Sequence, residues 1–215
     1  MPAQISSNYS LITEVNPDSS ASELYRSLGA NIRFAALDEP VKLVLVASVK
    51  QDPSKSEMIA NLAVTYALEK RNVLLIDANL RKPELHRYFQ TEHRIGLTDI
   101  LSGQQSFDGA VAKTKIENVS LITAGALPFN PSEMLSSKAM NSLLNEAKAK
   151  YDVVLIDCQP ILEAVDAQVL SAICDGVVVL VNSGKVKRAE GQKAIATLTH
   201  AKARILGAVL NNYNL

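Results

Sequence analysis

Glycine is scarce in this chain and is missing from a long central stretch. Only 9 of the 215 residues are glycine, and none lies between Gly29 and Gly96. Glycine usually makes up about 7% of a protein. Phosphate-binding loops of α/β proteins are built on glycine, because their backbone N–H groups must curl closely around the phosphate. Taken alone, the gap argues against a nucleotide site in the first half of the chain.

The chain also has few cysteines, no excess of basic residues and no long apolar run. Its 22 Lys and Arg residues balance 22 Asp and Glu residues, which argues against a dedicated nucleic-acid binder. Cys158 and Cys174 form no CxxC pair, so we expect reduced thiols rather than a disulfide or a metal site. Apolar runs reach five residues, as at 177–181, against about 20 for a membrane span, and no secretory signal opens the chain. We therefore expect a cytoplasmic protein, or one docked on a membrane partner rather than inserted.

The length of the chain fits one domain. A protein of 215 residues can bury about 70% of the surface that its unfolded chain exposes, so it needs no disulfide or metal to hold it. Residues 1–18 are polar and rich in turn formers, which predicts a flexible N-terminal segment before a single domain at 19–215.

What the chain does contain is a regular alternation of strand and helix patterns. Short apolar runs with β-branched residues and no polar alternation are typical of strands covered on both faces. Such strands are predicted at residues 43–47, 73–77, 119–122, 153–157, 177–181 and 205–210. Helical spacing is found at residues 20–37, 56–70, 132–150, 164–174 and 188–200, with short pieces at 84–89, 97–101 and 107–113. The predicted fold is α/β: a three-layer, doubly wound, mostly parallel sheet with helices on both faces.

The loop after the first predicted strand lies where ligands of such sheets bind, at the carboxyl end of a strand. It closes on Ser54, Lys55 and Ser56, at the position of a Walker A phosphate loop. A lysine and a hydroxyl at the start of a helix suit a β/γ-phosphate and a Mg²⁺ ion. However, Asp52 and Ser54 fill the two glycine places and add a negative charge and a Cβ atom. These residues alone fit a phosphate loop and a solvated turn about equally well.

Two aspartates end other predicted strands. Asp77 ends the second strand, where a carboxylate can hold metal-bound water or act as a base, and Arg81 beyond it is suited to pair with a phosphate. Asp157 follows four apolar residues, which is the shape of a Walker B strand. The alternatives are an aspartate that caps a turn and a solvated arginine. A lysine, a hydroxyl and two carboxylates at three strand ends are more informative together than any one of them.

With this layout, the chain resembles the bacterial tyrosine kinases of capsule and exopolysaccharide assembly, which are P-loop proteins related to the MinD/ParA ATPases. The likeness is collinear from about residue 23 to residue 212. Residues 23–34 resemble the family's N-terminal helix, 73–83 with His86 its Walker A′ segment, 96–103 and 125–135 two further family stretches, 151–157 its Walker B strand, and 210–212 the final strand that borders the adenine.

The resemblance implies γ-phosphoryl transfer from ATP with Mg²⁺ to tyrosine hydroxyls, mainly on a neighbouring subunit. It implies catalytic roles for Lys55, Asp77 and Arg81, and a metal site at Ser56, Asp77 and Asp157. The residues that it assigns to nucleotide binding are Lys50, Asp52, Pro53, Ser54, Lys55, Ser56, Glu57, Asn211 and Asn212. The implied partners are a transmembrane co-polymerase that activates the kinase at the inner face of the membrane, and further copies of the chain bound through Glu23 and Arg26.

The chain departs from the family pattern mainly at functional positions. Asp52 and Ser54 replace the loop glycines, and Glu57 stands where a second Ser or Thr is usual. Asn79 replaces the second aspartate of Walker A′, and Gln159 replaces a proline after Walker B. A phosphate loop without glycine and with an added carboxylate impairs both the positioning and the charge stabilisation on which phosphoryl transfer depends.

Other departures concern assembly and the loop lysine. Gly29 takes the place of the last arginine in the family's oligomer motif, and Tyr213 is the only tyrosine near the end of the chain, where relatives carry a tyrosine-rich tail. Lys50 lies five residues before Lys55, at the place of the signature lysine of MinD/ParA loops, although an ordinary exposed lysine is the simpler interpretation.

Three hypotheses follow. The first is a degenerate kinase with weak or absent ATP binding, which the clustered replacements favour. The second is an active ATP-dependent tyrosine kinase that tolerates an unusual loop. The third is a MinD/ParA-like ATPase switch, for which only Lys50 argues.

Overall fold

A seven-stranded sheet organises the chain in the computed structural model, which describes residues 9–35 and 41–212. The strands are β1 Leu43–Ser48, β2 Val73–Asp77, β3 Ala112–Lys113, β4 Val119–Ile122, β5 Val153–Asp157, β6 Gly176–Asn182 and β7 Ile205–Asn211. Their order is β3-β4-β2-β5-β1-β6-β7, and every neighbouring pair is parallel except β3 with β4. The doubly wound, mostly parallel α/β fold is confirmed.

Ten helices within the described ranges accompany the sheet. They are α1 Ile12–Val15, α2 Ser20–Phe34, α3 Lys55–Leu68, α4 Leu85–Tyr88, α5 Leu97–Leu101, α6 Phe107–Ala110, α7 Pro131–Leu135, α8 Lys138–Lys150, α9 Asp166–Ser171 and α10 Arg188–His200. Among the described residues, no helix has both the length and the apolar character that a membrane crossing requires.

The sheet is buried on both faces, as the unbroken apolar runs predict. All six residues of β1 are buried, and the first five alternate between two cores. Leu43 and Leu45 point into the core formed with α8 and α10, while Val44 and Val46 point into the core formed with α3. A strand that serves two cores needs apolar side chains at successive positions, which explains the absence of polar alternation.

The structure differs from the sequence prediction in several local features. The helix predicted over 132–150 is two helices, because Ser137 caps a new one by accepting a hydrogen bond from the N–H of Met140 at 3.2 Å. The helical piece predicted over 107–113 ends at Ala110 and continues into the short antiparallel strand β3. The predicted helix 164–174 covers only Asp166–Ser171.

The N-terminal segment 1–18 contains a helical turn that its polar composition did not reveal. Leu11 is 1% exposed and Thr13 is 2% exposed. Thr13 is bound to Asn61 of α3 by its N–H at 3.1 Å and its hydroxyl at 2.9 Å. Residues 1–8 of that segment, the last two residues of the helix predicted at 20–37, and Tyr213 lie outside the described residues.

The topology brings three strand ends together at the middle of the sheet. Strand β5 lies between β1 and β2, so the loop after β1, Asp77 and Asp157 share one edge. Asp77 is the register partner of Asp157, and Val46 of β1 is the partner of Asp157 on the other side. The site predicted from strand ends is therefore assembled by neighbouring strands.

Candidate nucleotide-binding site

Lys55 and Ser56, the first two residues of α3, meet Asp157 at the end of β5. Both Lys55 and Asp157 are buried, at 3% and 0% exposure. The Lys55 ammonium forms an ion pair with Asp157 Oδ1 and donates to the carbonyl oxygen of Cys158. The Ser56 hydroxyl donates to Asp157 Oδ2 at 2.8 Å. Burial lowers the pKa of Lys55. Both carboxylate oxygens of Asp157 are therefore bound by side chains of α3, one by Lys55 and one by Ser56.

Asp77, at the end of β2, is a fully buried carboxyl group held by backbone N–H groups. Its Oδ1 accepts from Asn79 at 3.2 Å, and its Oδ2 accepts from Glu84 at 3.2 Å and Leu85 at 3.1 Å. Burial raises its pKa to about 6, although these hydrogen bonds and the nearby Lys55 act in the opposite direction. Asp77 is therefore a carboxyl group whose titration range reaches close to neutral pH.

Asp52 and Ser54, the residues at the two glycine places, are bound to each other. Asp52 Oδ1 accepts from the N–H of Ser54 at 3.0 Å and from its hydroxyl at 2.6 Å. Asp52 Oδ2 accepts from the Asn182 amide at 2.8 Å, and the Asn211 amide donates to the Ser54 hydroxyl. Burial acts to raise the pKa of Asp52, but the hydrogen bonds from Ser54 and Asn182 outweigh it and lower the pKa. The loop thus carries a negative charge of its own.

The remaining predicted site residues surround this centre. Arg81 is half exposed; its Nε lies 3.9 Å from Asp166 Oδ2 and its Nη2 donates to Ser132 at 3.5 Å. Lys50 forms an ion pair with Glu190 of α10 at 3.1 Å. Pro53 lines the cleft next to Lys55, whereas Glu57 and Asn212 are exposed and Asn211 is partly buried. Glu23 and Arg26, predicted for oligomer contacts, pair with each other on α2 at 2.5 Å.

Comparison with known proteins identifies the family of the chain. A family model described as an AAA domain matches residues 41–209. The tyrosine-protein kinase YwqD of Bacillus subtilis is 41% identical over 205 residues, which cover 95% of this chain and 86% of the relative. The chain belongs to the bacterial tyrosine kinase family. The putative tyrosine-protein kinase CapB of Staphylococcus aureus is 36% identical, with 91% of this chain and 86% of the relative covered.

Solved structures of similar proteins agree with this family. The crystal structure of the chimerical protein CapA2B2 has a TM-score of 0.91 and 33% identity, and covers 95% of this chain and 90% of that one. The kinase domain of Escherichia coli tyrosine kinase ETK has a TM-score of 0.90 and 29% identity, with 94% and 79% covered. The septum site-determining protein MinD of Pyrococcus horikoshii, solved with Mg-ADP, has a TM-score of 0.69 and 26% identity, with 80% and 71% covered. The predicted relation to the MinD group of P-loop proteins is confirmed.

The family implies a bound nucleotide with Mg²⁺. In this chain the site residues suit the Mg²⁺ ion but not the phosphates. The Ser56 hydroxyl and the carboxyl groups of Asp77 and Asp157 are oxygen ligands of the kind that Mg²⁺ takes. The loop that would hold the phosphates does not fit. Asp52 places an ionised carboxylate on the N–H of Ser54, where a phosphate loop presents free donors. As a whole, the site does not fit a bound polyphosphate.

Two contacts of the site were missed by sequence reasoning. Asn79 and Gln159, noted only as separate departures, bind each other: the Gln159 amide donates to Asn79 Oδ1, and both side chains are buried. Asn182, which binds Asp52, was not singled out at all. Its signal was present, since it is the last residue of a parallel strand, and the rule used for Asp77 and Asp157 applies to it equally.

Proposed function

We propose that this chain is a non-catalytic member of the bacterial tyrosine kinase family, with weak or absent ATP binding, that acts in capsule or exopolysaccharide export. It works at the inner face of the membrane through a transmembrane co-polymerase partner. The observation that carries the first part is the Asp52 carboxylate, which accepts both the N–H and the hydroxyl of Ser54 inside the phosphate loop. The partner and the location rest on the family resemblance.

The charge of Asp52 supports weak ATP binding. Two like charges about 4 Å apart repel by about 4 kcal/mol at an effective dielectric constant of about 20. Such a repulsion lowers affinity roughly a thousandfold. Asp52 is 7% exposed, so water screens it poorly. A site with a Kd of about 1 μM would therefore be weakened to a Kd of about 1 mM.

Calorimetry with ATP–Mg²⁺ and ADP–Mg²⁺ tests the proposal, with YwqD as the positive control. We expect no measurable heat of binding up to about 1 mM nucleotide, where the standard binding free energy is only about −4 kcal/mol. Incubation with ATP and the cytoplasmic segment of the co-polymerase should leave the chain and its partner without phosphotyrosine. ATP binding together with phosphotyrosine that disappears in Lys55→Ala would contradict the proposal.

A second candidate is an active tyrosine kinase. The observation that favours it is the convergence of Lys55, Ser56, Asp77 and Asp157, which the family resemblance assigns to phosphate and metal. The same phosphotyrosine assay separates the two candidates, because only an active kinase labels itself or its partner. An ATPase switch receives no such support, since Lys50, the residue that argued for it, is paired with Glu190.

A further inference from the structure

The phosphate loop and the Walker B strand hold side chains of this chain where a nucleotide and its metal would supply charges. We infer that the site is filled by its own residues: Asp52 is the resident anion of the phosphate loop, and Lys55 is the resident cation of the Asp157 carboxylate. The inference deepens the proposed function and rests on it, because it explains how a kinase fold remains stable and ordered without ATP.

Asp52 has the partners that a bound anion would have. Each of its carboxylate oxygens accepts a hydrogen bond, from Ser54 on one side and from Asn182 on the other. Asn182 lies 130 residues away in sequence, at the end of β6, so the contact joins the loop to a separate strand. A side-chain carboxylate held by loop N–H, hydroxyl and amide donors is the protein's equivalent of a bound phosphate oxygen.

Lys55 supplies a positive charge at Asp157, where the family would have a metal ion. Its ammonium contacts Asp157 Oδ1 and the Cys158 carbonyl, while Ser56 occupies Asp157 Oδ2. A buried carboxylate needs a compensating positive charge and hydrogen bonds on its lone pairs, and here α3 provides both. In this structure the Lys55 ammonium is therefore paired with Asp157.

The other replaced positions are also paired with each other. Asn79 and Gln159 stand where the family has an aspartate and a proline, and their amides are hydrogen-bonded across the ends of β2 and β5. Buried polar groups without partners are costly, so unconstrained decay would leave some of these side chains unsatisfied. The side chains of Asp52, Ser54, Asn79 and Gln159 all have partners. Four of the departures from the family pattern therefore form two hydrogen-bonded pairs, Asp52 with Ser54 and Asn79 with Gln159.

Removing the resident anion tests the inference. In the double variant Asp52→Gly with Ser54→Gly, we expect the affinity for ATP–Mg²⁺ to rise by about a hundredfold to a thousandfold over that of the natural chain. Calorimetry measures the affinity, and inorganic phosphate at about 10 mM should raise the Tm of the variant but not of the natural chain. Without ligand, the variant should have a lower Tm than the natural chain, since the loop donors have lost their partner.

Three further variants make the outcome decisive. Adding Lys55→Met to the double variant should abolish the gained affinity; a gain that persists places the phosphate elsewhere and overturns the inference. Asp52→Asn keeps the shape of the side chain but removes its charge, so it should also bind ATP–Mg²⁺ more tightly than the natural chain. This variant replaces the double variant if the double variant does not fold. Asp108→Asn removes a carboxylate whose side chain is 78% exposed, and it should change nothing.

The possible failures separate this inference from the proposed function. If the double variant and Asp52→Asn both fold but gain no affinity, Asp52 does not block the loop and the inference is overturned. The proposed function is then decided separately, by whether the natural chain binds ATP–Mg²⁺ and forms phosphotyrosine. If the natural chain already binds ATP–Mg²⁺ as tightly as the variants, the inference is overturned. If it also forms phosphotyrosine, the proposed function falls with it.

Discussion

The phosphate loop and the turn beside β4 differ in whether they keep glycine. The loop has other residues at its two glycine places, 52 and 54, whereas the turn retains Gly96 and Gly125. A Cβ atom on Gly96 would lie 2.2 Å from the carbonyl oxygen of Thr123, and one on Gly125, whose φ is +76°, would lie 2.4 Å from Thr98 Oγ1. These turns accept no side chain. At positions 52 and 54, by contrast, the side chains have found partners. At Gly96 and Gly125 the fold itself requires glycine, whereas at positions 52 and 54 only a bound phosphate would require it.

The largest expected effect comes from removing the resident cation. Lys55→Met leaves the buried Asp157 carboxylate without its counter-charge, which should lower the free energy of unfolding by about 3–5 kcal/mol. Urea denaturation measures the change. Adding Asp157→Asn removes the stranded charge and should restore most of the loss. A loss below about 1 kcal/mol for the single variant would show that the site is not part of what stabilises the fold.

On the other side of the comparison, Gly96→Ala should destabilise the fold by about 3 kcal/mol, because the new methyl group overlaps backbone that cannot move aside. Gly191→Ala is the matched control. Gly191 lies in α10, where a Cβ meets no atom within 4 Å, so alanine should raise stability by up to about 1 kcal/mol. Equal effects of the two substitutions in thermal unfolding would remove the distinction between structural glycines and the phosphate-loop places.

The sequence predicted the fold and the strand-end residues of the site, but not the contacts among the replaced loop residues. The strands were predictable, because a strand buried on both faces must be apolar throughout, and the strand-end rule placed Lys55, Asp77 and Asp157 at one edge. Strand β3 was missed, since two residues carry no period, and the capping role of Ser137 was overlooked. The pairing of Asp52 with Asn182 depends on three-dimensional proximity that composition and local pattern do not encode.

The pH dependence of stability tests Asp77, a retained residue of the site. Its folded pKa of about 6 lies above the unfolded value of 3.8, so the folded state binds more protons than the unfolded state between these values. The contribution of Asp77 to stability is therefore full below about pH 4 and is lost as pH rises through about 6, by about 3 kcal/mol in total.

A comparison with Asp77→Asn isolates this contribution. The stability of the natural chain relative to the variant should fall between pH 4.5 and pH 7, at about 1.2 kcal/mol per pH unit where the slope is steepest. His86, whose pKa burial lowers to about 4, titrates in the same range with the opposite sign, but it is common to both proteins and cancels. A difference that does not change with pH would mean that Asp77 is ionised throughout.

The smallest expected effect on stability is that of replacing Lys50. The same substitution tests whether Lys50 belongs to the phosphate-binding site. The Lys50–Glu190 pair is largely exposed, with the Lys50 side chain 47% exposed, so Lys50→Ala should shift the Tm by no more than about 2–4 °C. Since Lys50 is paired outside the loop, the same substitution in the double variant Asp52→Gly with Ser54→Gly should leave the gained ATP affinity unchanged. A tenfold or greater loss of that affinity would instead make Lys50 a phosphate ligand, and would restore the ATPase switch as a candidate function.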